Sequence, residues 1–194
     1  MRRAILVAAV AGLGLAHASP AASRHSPYSA IDPKDTAAKA DIRSYRVAYG
    51  DTIKLDVRLR KGTDPFNGPQ WQDRLTGVLW LIDVPGGDAL PEYAAFFYNG
   101  GPGVLDGEVD LFEPPHYDTK ISETTETFHD GNGYRLEFDP SAIGNPAFIR
   151  VQASMVLDNL PSDLDDDLPG EEDKIDFAPD VLFEFTPKIK RAGS

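Results

Sequence analysis

The side chains in this sequence best suited to chemistry are carboxylates, and they concentrate in two places. WLIDVPGGDALPEYAAFFY, residues 80–98, sets Asp83, Asp88 and Glu92 in a Pro/Gly loop between two hydrophobic runs. DNLPSDLDDDLPGEEDKIDFAPD, residues 158–180, holds ten carboxylates, with Asp163, Asp165 and Asp167 on alternate positions. Clustered carboxylates are the ligand type of calcium, which takes roughly six to eight oxygens. An EF-hand-type loop counted from Asp83 needs oxygen-bearing side chains at its third and fifth positions, where Pro85 and Gly87 stand. Counted from Asp163 it needs glycine at its sixth position, where Leu168 stands. Each stretch is therefore expected first as a turn or a solvated loop, kept extended by like charges. Calcium is the alternative, with Asp83, Asp88 and Glu92 as ligands in one loop and Asp163, Asp165 and Asp167 in the other.

Nucleophilic and zinc chemistry find little support. Beyond residue 18 the histidines are His25, His116 and His129, and none lies in a pattern with a nucleophile. The chain has no G-x-S-x-G elbow and no H-x-H or H-E-x-x-H pair. A hydrolase working through two carboxylates stays open as the alternative, but with 31 Asp and Glu in the chain a close pair carries almost no information. No catalytic residue is assigned. A binding role would use an exposed aromatic, and Trp71 in the polar stretch FNGPQWQD is the candidate. Its indole offers an apolar face on which a sugar ring can stack, or it tucks against the edge of the fold. Trp80, inside GVLWLID, is expected in the core.

The elements that must position these residues begin after an export signal. Arg2 and Arg3 precede an apolar run from Ala4 to Leu15, and Ala16-His17-Ala18 offers small residues where a signal peptidase cuts. That run is shorter than the roughly 20 residues a bilayer span requires. Residues 1–18 are read as the signal and 19–40, rich in Ala, Ser and Pro, as a disordered spacer. Residues 41–187 are read as one domain and 188–194 as a short tail. A freely secreted monomer is expected. The chain has no cysteine, so its fold must be held by packing alone. Its formal charge is −12, or −14 once Arg2 and Arg3 are subtracted, which disfavours nucleic acid and anionic membrane surfaces as partners.

Hydrophobic periodicity within the domain is that of strands. In DTIKLDVRLR, Ile53, Leu55, Val57 and Leu59 alternate with Lys54, Asp56, Arg58 and Arg60. DIRSYRVAY precedes it across a turn at Gly50-Asp51, and the two are expected to form a hairpin. GVLWLID and EYAAFFY are apolar on both faces, as central strands are. GVLDGEVDLF, TKISETTETF, GYRLEFD, AFIRVQASMVL and DVLFEF complete about nine strands. One short helical turn is expected at DPSAIGN, with Asp139 as N-cap, Pro140 in first position and Gly144 as its end. The expected fold is all-β, a single antiparallel β-sandwich of jelly-roll or immunoglobulin-like type.

The order of these stretches resembles a family of small secreted actinobacterial sandwich proteins similar to DOMON domains and family-9 carbohydrate-binding modules. The residues that carry it are DIRSYRVAYGDTIKLDVRLR, WLID before a carboxylate-rich loop, EYAAFFYN, YRLEFDPSAIGNPAFIRVQA and DFAPD. The resemblance covers about residues 41–185. It implies a non-catalytic binding module whose partner is a glycan or an envelope protein. It also implies calcium at an Asp-rich loop, of which this chain keeps Asp83, Asp88, Glu92 and Tyr93 but has Pro85 at the middle acidic position. DOMON relatives that bind haem use a Met/His pair. Met155 is the one methionine beyond the signal and no histidine is placed with it, so no haem is expected.

Overall fold

A computed structural model describes residues 24–33, 41–60, 77–86, 91–101, 104–111, 119–124, 126–156, 176–178 and 185–193. In chain order its strands are β1 (Arg24–His25), β2 (Tyr28–Ile31), β3 (Ile42–Tyr49), β4 (Ile53–Leu59), β5 (Gly77–Asp83), β6 (Tyr93–Gly101) and β7 (Val104–Leu111). There follow β8 (Thr119–Glu123), β9 (Glu126–Asp130), β10 (Gly133–Phe138), β11 (Phe148–Val156), β12 (Asp176–Ala178) and β13 (Ile189–Lys190). One sheet runs β2-β3-β4-β10-β9; the other runs β1-β13-β11-β5-β6-β7-β8, with β12 also on β11. All pairings are antiparallel except β1 with β13. The chain is an all-β sandwich, as expected.

Of the two expected types, the strand order is immunoglobulin-like. β3-β4-β10-β9 reproduces the A-B-E-D sheet, and β13-β11-β5-β6-β7 reproduces G-F-C-C′-C″. β8 lengthens the second sheet by one strand. Consecutive β4 and β5 sit in different sheets beside consecutive β10 and β11, so the two crossings lock the sheets face to face.

Alternation decides which side chains fill the space between. Tyr45, Val57 and Tyr134 form one cross-strand row of the first sheet, and Val47, Leu55 and Leu136 form the next. Across the gap stand Ala153, Trp80, Ala95 and Val109, then Met155, Val78, Phe97 and Gly107. Trp80 meets Tyr45 edge-on at 6.4 Å between ring centres, and Phe97 meets Tyr134 at 5.4 Å. These perpendicular contacts set the positive ring edge against the neighbour's negative face. The expectation that β5 is covered on both faces holds, because all seven of its residues are buried.

The structure differs from the sequence reading in three places. Part of the stretch read as spacer is ordered: β1 pairs with β13, and β2 adds to β3. A clamp holds β2 there. Arg60 binds the Asp41 carboxylate at 2.9 Å and the Asp32 carbonyl at 2.6 Å. TKISETTETF is two strands, β8 and β9, which lie in different sheets. The β3–β4 turn is one residue longer than expected, since Tyr49 pairs with Ile53. DVLFEF lies outside the described residues except Phe185. The short helical turn forms as expected at Pro140–Ile143, with the Asp139 side chain accepting from the Ser141 N–H and Gly144 left-handed.

Candidate functional site

The outer faces of the two sheets differ in kind. On the second sheet the outward residues Leu79, Leu81, Ala94 and Phe96 are buried, together with Gln152 and Ser154. On the first sheet most of the outward residues are polar, and Ser29, Arg46, Asp56, Arg58 and Arg135 reach solvent. They surround a concavity of about 410 Å³ that crosses β2, β3, β4 and β10. Tyr45, Val57 and Tyr134 contribute its floor, while their side chains point into the core. The walls are the alternate residues on the same strands.

Register gives those walls in two rows. Ser29, Arg46, Asp56 and Arg135 lie side by side across the four strands. In the next row lie Ile31, Ser44, Arg58 and Gly133. Arg58 therefore stands between a serine and a glycine, and neither neighbour is large enough to cover it. Ile31, on the edge strand, is 84% exposed and gives the rim one large apolar side chain.

The charges on this face are only partly spent on each other. Arg135 binds Asp56 at 2.5 Å and lies 3.8 Å from Glu137, while Lys54 binds Glu137 at 2.7 Å. These two bases and two acids balance. Arg46 and Arg58 form no ion pair among the described residues, in a chain of net charge −12. Planar guanidinium donors with a carboxylate between them can orient hydroxyls and oxyanions by paired hydrogen bonds. No proton-transfer pair is apparent among the described residues of the groove.

Sequence reasoning identifies the outward face of β4 correctly but treats it as ordinary solvated surface. The signal it passes over is sign: Arg46, Arg58 and Arg135 lean positive against the acidity of the whole.

The carboxylates singled out from the sequence lie elsewhere. Asp83 ends β5, is 3% exposed, and faces Arg150 of β11 in register. The Arg150 Nε donates to Asp83 Oδ2 at 2.5 Å, and its guanidinium also stacks over the Phe185 ring at 5.5 Å. A cation at Asp83 would have to displace that guanidinium. Glu92 accepts the Val84 N–H at 2.9 Å and so ties together the two ends of the loop. Among the described residues these two carboxylates serve the β5–β6 connection. Asp88, Asp163, Asp165, Asp167 and Trp71 lie outside the described residues. No group of three His, Asp or Glu placed to hold a metal occurs among the described residues.

Comparison of the chain with protein-family models, with curated proteins and with solved structures gives no match.

Proposed function

We propose that the chain is an exported, non-catalytic binding module that takes a glycan on the outer face of its five-stranded sheet. The groove carries this reading. Its volume of about 410 Å³ falls in the range of roughly 300–1,000 Å³ common to small-ligand sites. Its walls mix fork-shaped donors, two serine hydroxyls, a carboxylate and one exposed aliphatic side chain, a set suited to sugar hydroxyls beside an apolar ring face. Most of it stands on strands locked by the core, so the ligand meets a preformed surface and little ordering entropy opposes binding.

A glycan array probed with wild type, Ser44→Trp and Trp71→Ala tests this. An indole at position 44 fills the recess beside Arg58, so Ser44→Trp is expected to abolish binding while the melting temperature stays near that of wild type. Binding that survives Ser44→Trp but disappears in Trp71→Ala would move the ligand to the 61–76 stretch. Binding of no glycan by wild type would overturn the reading.

A further inference from the structure

We propose that the groove selects glycans bearing acidic groups, with a carboxylate or sulfate seated between Arg46 and Arg58. This rests on the glycan-binding reading above and names the ligand class it implies.

The placement of the two arginines is fixed by backbone register. Arg46 is directly opposite Asp56, and Arg58 lies two residues further along β4 on the same face. The two are thus diagonal neighbours on an antiparallel pair, about 7–8 Å apart at the backbone. Long side chains on such a diagonal can converge on one anionic group, each presenting two N–H donors in a plane. Small neighbours keep the approach open, since Ser44 and Gly133 flank Arg58 in the row.

The neighbouring charges do not answer the pair. Among the described residues Asp56 is the one acid lining the groove, and Arg135 holds it at 2.5 Å. Glu137 is engaged by Lys54 at 2.7 Å. An arriving oxyanion therefore finds two guanidinium groups beside Asp56 and Glu137, carboxylates that Arg135 and Lys54 already bind. The overall charge of −12 sharpens the selection, because a polyanion is repelled by most of the surface and gains only where the sign reverses.

Matched polymers test this directly. Calorimetry would compare dextran sulfate, carboxymethyl-dextran and plain dextran of equal length, with poly-L-glutamate as an acidic chain lacking sugar. Wild type is expected to bind at least one charged dextran, to ignore plain dextran, and to weaken as salt rises. The sulfate and carboxymethyl arms tell which oxyanion is preferred. Arg46→Gln and Arg58→Gln should each lower affinity about tenfold or more, as loss of a charge-assisted hydrogen bond does. Arg46→Lys, which keeps charge without the fork, should fall between, and Lys190→Gln on the other sheet should change nothing.

Plain dextran bound as tightly as its charged forms, with binding lost in Ser44→Trp but kept in both glutamine variants, would overturn the acidic selection and leave the glycan reading standing. Poly-L-glutamate bound as tightly as the charged dextrans would overturn the sugar requirement. Absence of binding to both charged dextrans would overturn the proposal, and absence of any bound glycan on the array as well would remove the binding reading itself.

Discussion

At the scale of single residues, Tyr49 shows how one side chain ties distant segments together. Its hydroxyl donates to the Pro146 carbonyl at 2.5 Å, and its N–H donates to the Ser26 hydroxyl at 2.6 Å. Its carbonyl accepts from the Ala192 N–H at 2.7 Å. Burial raises the phenol above its ordinary value of 10.0, with the Arg191 guanidinium opposing. The unfolded chain therefore ionises first as pH rises. Stability from this group is full below pH 10 and is lost as pH climbs through the higher folded value. Tyr49→Phe is expected to cost about 1–3 kcal/mol near neutrality, because the Pro146 carbonyl loses its donor. It should also flatten the alkaline fall in melting temperature, and thermal melts from neutral to alkaline pH check both. The residues of the groove were only half legible in the sequence. Alternation in DTIKLDVRLR assigns Asp56 and Arg58 to one face, but pairing with Arg46 and Arg135 depends on register between separate strands. Asp83 shows the reverse case. It reads as a loop ligand, and its partner Arg150, 67 positions away, becomes visible only when β5 and β11 pair.

At the scale of elements, one glycine controls how closely the sheets approach. Gly107 on β7 faces inward, where an added Cβ would lie 2.5 Å from Leu136 Cδ2 and 2.6 Å from Thr124 Oγ1. Thr124 cannot swing aside freely, because its hydroxyl bonds the Gly107 carbonyl at 3.1 Å and Thr127 Oγ1 at 2.9 Å. Gly107→Ala is therefore expected to destabilise by about 1–3 kcal/mol through overpacking. Adding Leu136→Val, which withdraws the clashing methyl, should recover part of that in a urea melt. Long alternating segments such as β3, β4 and β11 were legible because one face is buried and the other wet. The four residues of β2 were not. Tyr28 and Ala30 alternate with Ser29 and Ile31, but so short a run is stable only because β3 pairs with it and the Arg60 clamp closes its end. β8 and β9 read as one strand because no Gly or Pro marks the crossing at Thr124.

At the scale of the whole molecule, the two sheets divide the work. One is buried on both faces along β5 and its neighbours Ala94–Phe97 and Val151–Met155, and the other has a core face and a charged outer face. The sandwich is held without disulfides, by aromatic and aliphatic rows meeting between sheets whose crossings interlock. That frame carries Arg46 and Arg58, without an ion pair among the described residues, at a spacing set by register on a protein of charge −12. Fold class follows from hydrophobic period, which is local. The sign of a single face follows from how several strands are laid side by side, which is not. The measurement that tests the central claim most directly is an amide chemical-shift titration of the protein with short carboxymethyl- and sulfated dextran fragments. Shifts confined to residues 29–31, 44–46, 56–58 and 133–135 are predicted, and they should vanish in Arg58→Gln. Shifts gathered on the outer face of β5, β6 and β11, with the groove silent, would contradict the account.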